Sequence, residues 1–334
     1  MAVADMPLKE QLGYLEILAN KALNLWDLPN GATARLINVS ENATYLVEAI
    51  NDFKAILRIH RENYHSHRAI ECELEWLQAL HAAKIVPTPE YHIGKNGSPI
   101  QQQHVKGLPS PRYMVLFHFV EGKTPCETIE MTDRFVELGA IAARCHNHVL
   151  TWQKPKNFDR LVWDVETVFG PTPTWGNWRN APEVDSKVLA QLEKVENTIR
   201  KRLNIFGKPE TRFNLIHADM RLANLLIDGE RTRLIDFDDC GWGWFLYDFA
   251  AAISFIEDDP RIPSLKAAWV RGYRSVRAMA PEEEAEIDTF VMLRRMALLA
   301  WIGSHIEAPE PQKMAPGFAA TTARLGREWM NKIN

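Results

Sequence analysis

Three polar residues lie close together in an otherwise apolar part of the chain, within LIHADMRLANLLID. His217, Asp219 and Asn224 follow the spacing H-x-D-x4-N, with leucine and isoleucine on both sides. Because an uncompensated carboxylate is costly in apolar surroundings, these side chains need a shared role. An Asp and an Asn five residues apart on a tight loop can converge, one to take a hydroxyl proton and the other to hold a metal ion.

A second carboxylate, Asp236, follows Asn224 by twelve residues, at the end of the apolar run TRLID. It could supply the other metal ligand. Since Mg²⁺ is held by one or two such oxygens plus phosphate oxygens, no dense protein cage is required. The alternative is a structural loop whose Asp and Asn side chains bond nearby backbone groups. The three-residue spacing alone does not decide between the two.

The composition is that of an ordinary globular protein. The 334 residues are 46% hydrophobic and 25% charged, and the formal net charge of -4 argues against a nucleic-acid or anionic-membrane surface. This length favours two lobes or domains. Four widely spaced cysteines without a CxxC or CxxH pattern predict free thiols. With no leader pattern and no long apolar run, the sequence predicts a cytoplasmic protein with no membrane partner.

Hydrophobic patterning separates a sheet-rich first third from a helical remainder. A helix at about 8–22 precedes three strands with hairpin-length connections, which predicts an antiparallel sheet. The predicted strands are 33–39, 43–50, 53–61, 89–94, 100–104 and 113–120. The later predicted helices are 66–82, 132–149, 184–204, 247–257, 263–278, 282–306 and 316–332. The arrangement is an α+β fold with a cleft between two lobes.

The H-x-D-x4-N loop followed by an I-D strand end resembles the phosphotransferase loop of the protein-kinase-like fold. It is most similar to the aminoglycoside phosphotransferase and choline kinase group, and WFLYDFA resembles the family's helix start. The resemblance implies an antiparallel-sheet lobe at 1–116 that binds the nucleotide. It also implies a hinge at 117–122, and a helical lobe at 123–334 that carries the catalytic loop and acceptor site.

The resemblance also implies ATP and Mg²⁺ as cofactors, and it assigns roles by position. Asp219 would be the catalytic base, and Arg221 stands where protein kinases carry a lysine directed at the transferred phosphate. Asn224 and Asp236 would bind Mg²⁺. His217 and Asp248 would brace the loop.

A lobe of this kind needs a cation for the ATP phosphates and a carboxylate to hold that cation. On the helix at 66–82, Glu73 falls inside the apolar stripe, whereas Glu71 and Glu75 fall on the wet side. A buried carboxylate needs a cation. Of Lys54 and Arg58 on the preceding strand, Arg58 is the better candidate, although the family usually has lysine there. A surface Arg58 without phosphate contact is the alternative.

Two further segments resemble nucleotide-binding parts of the family. SEN has no glycine pattern but resembles the phosphate turn of small-molecule kinases, which makes Ser40 and Asn42 candidate phosphate contacts. An ordinary hairpin turn is the alternative. YMVLFHFVEG resembles the hinge, where adenine would pair with backbone groups near His118 and Val120.

The acceptor is the part that the sequence leaves open. Tryptophans and acids could enclose a cationic amino-alcohol, or could be core and solvated loop; they are Trp163, Trp175, Trp178, Trp242, Trp244, Asp238, Asp239, Glu257, Asp258 and Asp259. The sequence predicts an ATP-dependent phosphotransferase that acts on the hydroxyl of a small molecule. One alternative is a protein Ser/Thr kinase, because LIDFDD and MLRRMALLAWIGSH are similar to a bacterial stress response kinase. A catalytically silent nucleotide-binding protein, prompted by Arg58, is the other.

Overall fold

The computed structural model describes residues 6–39, 41–124, 131–228 and 231–333. The chain divides into two compact units. The first comprises Met1–His81, Pro87–Gly122 and Pro155–Asp159, and the second comprises Ala82–Val86, Lys123–Lys154 and Arg160–Asn334. Among the described residues, no helix combines the length and apolar character needed to cross a membrane.

The first unit is built on a five-stranded antiparallel sheet in the order β1-β2-β3-β5-β4. The strands are β1 (Thr33–Val39), β2 (Ala43–Glu48), β3 (Lys54–Ile59), β4 (Ile100–Gln103) and β5 (Arg112–His118). Two helices accompany the sheet, α1 (Leu8–Ala22) and α2 (His67–Ala82). Alternate residues of β2 and β3, such as Tyr45 and Leu57, form a core with the buried face of α1.

The strand predicted at 89–94 is wrong. Only an isolated bridge joins Tyr91 to Phe117, and the His92 N–H donates to the Leu116 carbonyl. Because proline has no N–H to donate, Pro87 and Pro89 interrupt any ladder before this point.

The second unit is mostly helical. Its helices are α3 (Met131–Thr151), α4 (Val165–Phe169), α5 (Ser186–Phe206), α6 (Tyr247–Ala252), α7 (Ile262–Arg274), α8 (Pro281–Ser304), α9 (Pro309–Met314) and α10 (Phe318–Ile333). Helices α3 and α7 pack with their backbones in contact, through Gly139 and Gly272. Together with the antiparallel sheet of the first unit, these helices confirm the predicted α+β fold class.

Short strands frame the loop of the second unit that carries His217, Asp219 and Asn224, called here the polar loop. A three-stranded sheet has the order β6-β10-β7, in which β10 runs parallel to β6 and antiparallel to β7, and β8 and β9 form a hairpin. Their bounds are β6 (Leu161–Trp163), β7 (Phe213–Ile216), β8 (Leu225–Asp228), β9 (Arg231–Leu234) and β10 (Gly241–Trp244). The polar loop runs from the end of β7 to the start of β8.

Candidate active site

The polar loop is fixed by the buried carboxylate of Asp248 at the start of α6. Its Oδ1 accepts the Ala218 N–H at 2.7 Å, and its Oδ2 accepts the His217 N–H at 3.3 Å. Ala218 has a φ of 65°, which is unusual for a residue with a Cβ atom. The two hydrogen bonds to Asp248 hold the loop in this conformation against its backbone strain.

A histidine and a tyrosine support Asp248 from behind. His146 Nε2 lies 2.9 Å from Asp248 Oδ2, and the Tyr273 hydroxyl lies 3.0 Å from His146 Nδ1. Burial lowers the pKa of His146, so the ring is neutral. A neutral ring donates from Nε2 to Asp248 and accepts from Tyr273, so α3 and α7 both hold the carboxylate that supports the loop.

The ring of His217 joins the loop to the chain segment after β9. Its Nδ1 accepts the Asp219 N–H at 3.2 Å, so the other nitrogen, Nε2, carries the hydrogen and donates to the Ile235 carbonyl at 3.2 Å. The ring also packs on Phe237, with a centroid distance of 4.4 Å. His217 therefore ties the loop backbone at Asp219 to the residue before Asp236.

The carboxylate of Asp219 is held at both oxygens. Asn224 Nδ2 donates to Oδ2 at 2.8 Å and to the Asp219 carbonyl at 2.8 Å, while Arg294 Nη2 donates to Oδ1 at 3.0 Å. Arg221 Nε lies 3.3 Å from Oδ2. Burial by itself would raise the pKa of Asp219, but the charges of Arg221 and Arg294 outweigh it and leave the pKa below its ordinary value. Asp219 is therefore an ionised proton acceptor at neutral pH.

Asn224 and Asp236 offer a donor set that suits magnesium. The Asn224 amide nitrogen is directed to Asp219, so Oδ1 is the side-chain atom that could bind a metal ion. The Asn224 backbone carbonyl accepts the Ile235 N–H at 3.0 Å. Asp236 is exposed and has a φ of 60°. One amide oxygen and one carboxylate are hard ligands, which fit Mg²⁺ with phosphate oxygens and water completing the shell. In the described parts of the chain, no group of three His, Cys, Asp or Glu side chains could hold a metal ion by itself.

In the first unit, the structure brings Arg58 and Glu73 together. Arg58 Nη2 lies 2.7 Å from each carboxylate oxygen of Glu73, and both side chains are buried. The guanidinium also lies over the Phe117 ring, 4.9 Å from its centroid. Glu71 and Glu75 lie on the more exposed side of α2, where both pair with Arg68.

The other residues predicted to contact the nucleotide are Ser40, Asn42, His118 and Val120. Ser40 lies outside the described residues. Asn42 is buried, and its side-chain oxygen accepts the Arg61 N–H at 3.1 Å, which links the connection before β2 to the residues after β3. The His118 N–H donates to the Glu90 carbonyl at 2.9 Å at the end of β5, and Val120 follows the strand.

The tryptophans predicted as pocket walls have separate roles. Trp178 and Trp244 are core residues, and their indole N–H groups donate to Glu196 and to the Gly207 carbonyl. Trp175 instead packs on Arg294, whose guanidinium carbon lies 4.9 Å from the ring centroid. Trp175 therefore contacts the same arginine, Arg294, that donates to Asp219.

Three of the predicted pocket acids are paired with arginines. Glu257 bonds Arg295 at 2.5 Å, Asp259 bonds Arg261 at 2.8 Å, and Asp258 lies 4.0 Å from Arg324. These carboxylates are compensated within the chain.

Sequence reasoning missed Arg294, which contacts Asp219 from α8, 75 residues further along the chain. The available signal was a pair of arginines, Arg294 and Arg295, inside the apolar run of an otherwise buried helix. Buried charges require partners, and a partner for Arg294 could have been sought among the polar residues of the loop.

Comparisons with known proteins identify the family of the chain. The profile of the phosphotransferase enzyme family (APH) matches residues 33–285. The solved structure of a microcompartment-associated aminopropanol kinase is 40% identical, covers 95% of this chain and 98% of its own, and superposes with a TM-score of 0.87. Amicoumacin kinase of Bacillus subtilis (strain 168) is 24% identical over 85% of both chains.

A third comparison concerns the fold. The amicoumacin kinase hAmiN, solved in complex with AMP-PNP, Ca²⁺ and Ami, is 18% identical, covers 95% of this chain and 96% of its own, and has a TM-score of 0.76. The protein-kinase-like fold predicted from the sequence is confirmed, and the named relatives are small-molecule kinases. The chain therefore belongs to the phosphotransferase enzyme family (APH).

Proposed function

We propose that this protein transfers the γ-phosphoryl group of ATP to the hydroxyl of a small amino-alcohol. The observation that carries the proposal is the geometry of Asp219, an ionised carboxylate held by Asn224 at 2.8 Å on a loop that Asp248 supports. The substrate class is supported by the 40% identity, over nearly the whole chain, to an aminopropanol kinase.

In the proposed reaction, Asp219 orients the acceptor hydroxyl and accepts its proton as the oxygen attacks the γ-phosphorus. Asn224 and Asp236 would hold Mg²⁺, whose positive charge would offset the negative charge of the phosphates. Arg221, next to the carboxylate, would offset negative charge on the transferred group. No covalent intermediate on the protein is needed.

The first unit would bind the nucleotide. Arg58, fixed by Glu73, would contact phosphate oxygens, because the planar fork of a guanidinium can pair with a carboxylate and a phosphate. The His118 N–H already donates to Glu90, so adenine would use backbone groups beyond it, near Val120. Asn42 would contribute through its backbone or amide nitrogen, because its side-chain oxygen already accepts the Arg61 N–H.

The proposal is tested by ADP release in the presence of ATP and Mg²⁺ with a panel of acceptors: 1-amino-2-propanol, choline, ethanolamine, homoserine, sugars and aminoglycosides. We expect turnover with an amino-alcohol that exceeds the rate of transfer to water. No turnover of any acceptor, despite tight ATP binding, would favour a silent nucleotide-binding protein. In a parallel assay with ATP labelled at the γ-phosphate, transfer of that labelled phosphate to casein or to the protein itself would favour a protein Ser/Thr kinase.

Replacing the proposed metal ligand sharpens this test. Asp236→Ala should reduce Mg²⁺-dependent turnover to background, because one of the two protein ligands to Mg²⁺ is lost. The fold should persist, since Asp236 is exposed. Asp258→Ala removes an exposed carboxylate from the same unit and serves as the control. Full activity in the Asp236 variant would refute the assignment.

A further inference from the structure

The buried arginine Arg294 is held in place by several contacts. Only 2% of the residue is exposed. Its Nε donates to Ser254 Oγ at 3.1 Å, and its Nη2 donates to Asp219 Oδ1 at 3.0 Å. The guanidinium carbon lies 4.9 Å and 5.6 Å from the ring centroids of Trp175 and Tyr247. A guanidinium fixed by hydrogen bonds and by aromatic rings has little freedom to reorient.

The contact with Arg294 complements the one that Asn224 makes. Asn224 and Arg221 lie at Oδ2 of Asp219, whereas Arg294 lies at Oδ1. An ionised carboxylate has about four lone-pair sites, two on each oxygen. Since Oδ2 faces both Asn224 and Arg221, the second site on Oδ1, beside Arg294, is the one that suits an incoming hydroxyl.

We propose that Arg294 is a positioning residue for the catalytic base: it fixes the Asp219 carboxylate so that Oδ1 accepts the proton of the acceptor. The inference rests on the proposed function and deepens it. In the step concerned, the acceptor O–H bond breaks and the proton goes to Oδ1 of Asp219. The acceptor oxygen forms a bond to the γ-phosphorus, the bond from that phosphorus to the β,γ-bridging oxygen breaks, and ADP leaves with the electron pair.

The neighbouring Arg295 provides a matched control. It is equally buried on the same helix, but it faces Glu257 and Thr322 instead of Asp219. A substitution at Arg295 therefore disturbs a buried arginine of α8 without touching the base. A loss of kcat that results from disturbing α8 in general should appear in both the Arg294 and the Arg295 variants.

The test compares Arg294→Met, Arg294→Lys and Arg295→Lys in steady-state kinetics with ATP, Mg²⁺ and 1-amino-2-propanol. Misplacing a catalytic group by about 1 Å can reduce the rate about 100-fold, so we expect Arg294→Met to lower kcat about 100-fold. The KM for ATP should change less than about threefold, because ATP binding does not involve Arg294. Lysine should restore only part of kcat, since it cannot bond Ser254 and Asp219 with one planar group. Arg295→Lys should keep the wild-type kcat.

A double-mutant cycle with Asp219→Asn separates positioning from general damage. If Arg294 acts through Asp219, Arg294→Met should add little to the loss caused by Asp219→Asn. Additive losses would overturn the inference, and so would an equal loss of kcat in the Arg294 and Arg295 variants. If no acceptor is turned over, ADP release by transfer to water supplies the same comparison. A wild-type protein that releases no ADP by either route overturns the proposed function and this inference with it.

Discussion

At the scale of residues, the carboxylate of Asp219 in the second unit is held by more than one element. Asp219 receives hydrogen bonds from its own loop, through Asn224, and from helix α8, through Arg294. In the first unit, both carboxylate oxygens of Glu73 accept from Nη2 of Arg58 on β3. Buried carboxylates of this kind are stable only with their partners, so changes at these positions should have large and specific effects.

The proposed contact of Arg58 with the ATP phosphates can be tested directly. Arg58→Lys should lower kcat/KM for ATP about tenfold or more, because a point charge cannot reproduce a charge-assisted pairing with both Glu73 and phosphate. Steady-state kinetics with varied ATP measure the change. Arg68→Lys is the control, because Arg68 pairs with glutamates on the exposed side of α2. An equal kcat/KM for ATP in the Arg58→Lys and Arg68→Lys variants would contradict the proposed contact between Arg58 and phosphate.

At the scale of elements, helices α3 and α7 support the site by close packing. A Cβ on Gly272 would lie 1.8 Å from the Val136 carbonyl oxygen, and one on Gly139 would lie 2.1 Å from the Trp269 carbonyl oxygen. These two helices also carry His146 and Tyr273, which hold Asp248. The distance between the backbones of α3 and α7 therefore affects how Asp248 supports the polar loop.

A substitution that forces α3 and α7 apart should lower both the free energy of unfolding and kcat. Gly272→Ala should lower the free energy of unfolding by about 1–3 kcal/mol or more, since the helices must separate, and kcat should fall as the support of Asp248 shifts. Thermal unfolding and turnover measure the two effects. Gly13→Ala on the exposed face of α1 has nothing within 4 Å and should stabilise by about 0.5–1 kcal/mol. A Gly272 variant as stable as the wild type would contradict the close packing.

Local sequence patterns predicted most of these elements and some of the contacts. Period-two alternation and short turns are properties of neighbouring residues, so the antiparallel strands and the face of α2 that carries Glu73 could be predicted. The strands β6 and β10 span three and four residues within Trp- and Gly-rich segments, too few to show a period. Arg294 meets Asp219 only through tertiary packing, which no local period encodes.

At the scale of the whole molecule, one histidine of the first unit links stability to pH. His92 lies 4.1 Å from His118 between ring centroids and 5.8 Å from Phe53. Burial, together with the charge of His118, lowers the pKa of His92 to about 4. Its ordinary pKa is about 6.5 in an unfolded chain.

Acid should therefore destabilise the protein through His92. Between about pH 6.5 and 4 the unfolded chain binds a proton at this position that the folded chain does not. Above pH 6.5 His92 is neutral in both states and has no effect through protonation, and as the pH falls towards 4 it destabilises the folded state increasingly. His92→Gln should flatten the pH dependence of the unfolding midpoint in this window, and urea unfolding at several pH values measures it. His104→Gln, a histidine bonded to the Leu108 carbonyl, is the comparison variant. If the unfolding midpoint of the His92→Gln variant depended on pH as strongly as that of the wild type, the role given to His92 would be contradicted.

The order of the chain through the two units has a consequence for synthesis. The first unit includes the distant piece Pro155–Asp159. Arg68 Nε on α2 donates to the Asn157 carbonyl, and Ser66 Oγ donates to Asp159. A nascent chain released from the ribosome only as far as Gly122 therefore lacks part of this unit, so its folding cannot finish until all of α3 and the residues up to Asp159 have also been translated.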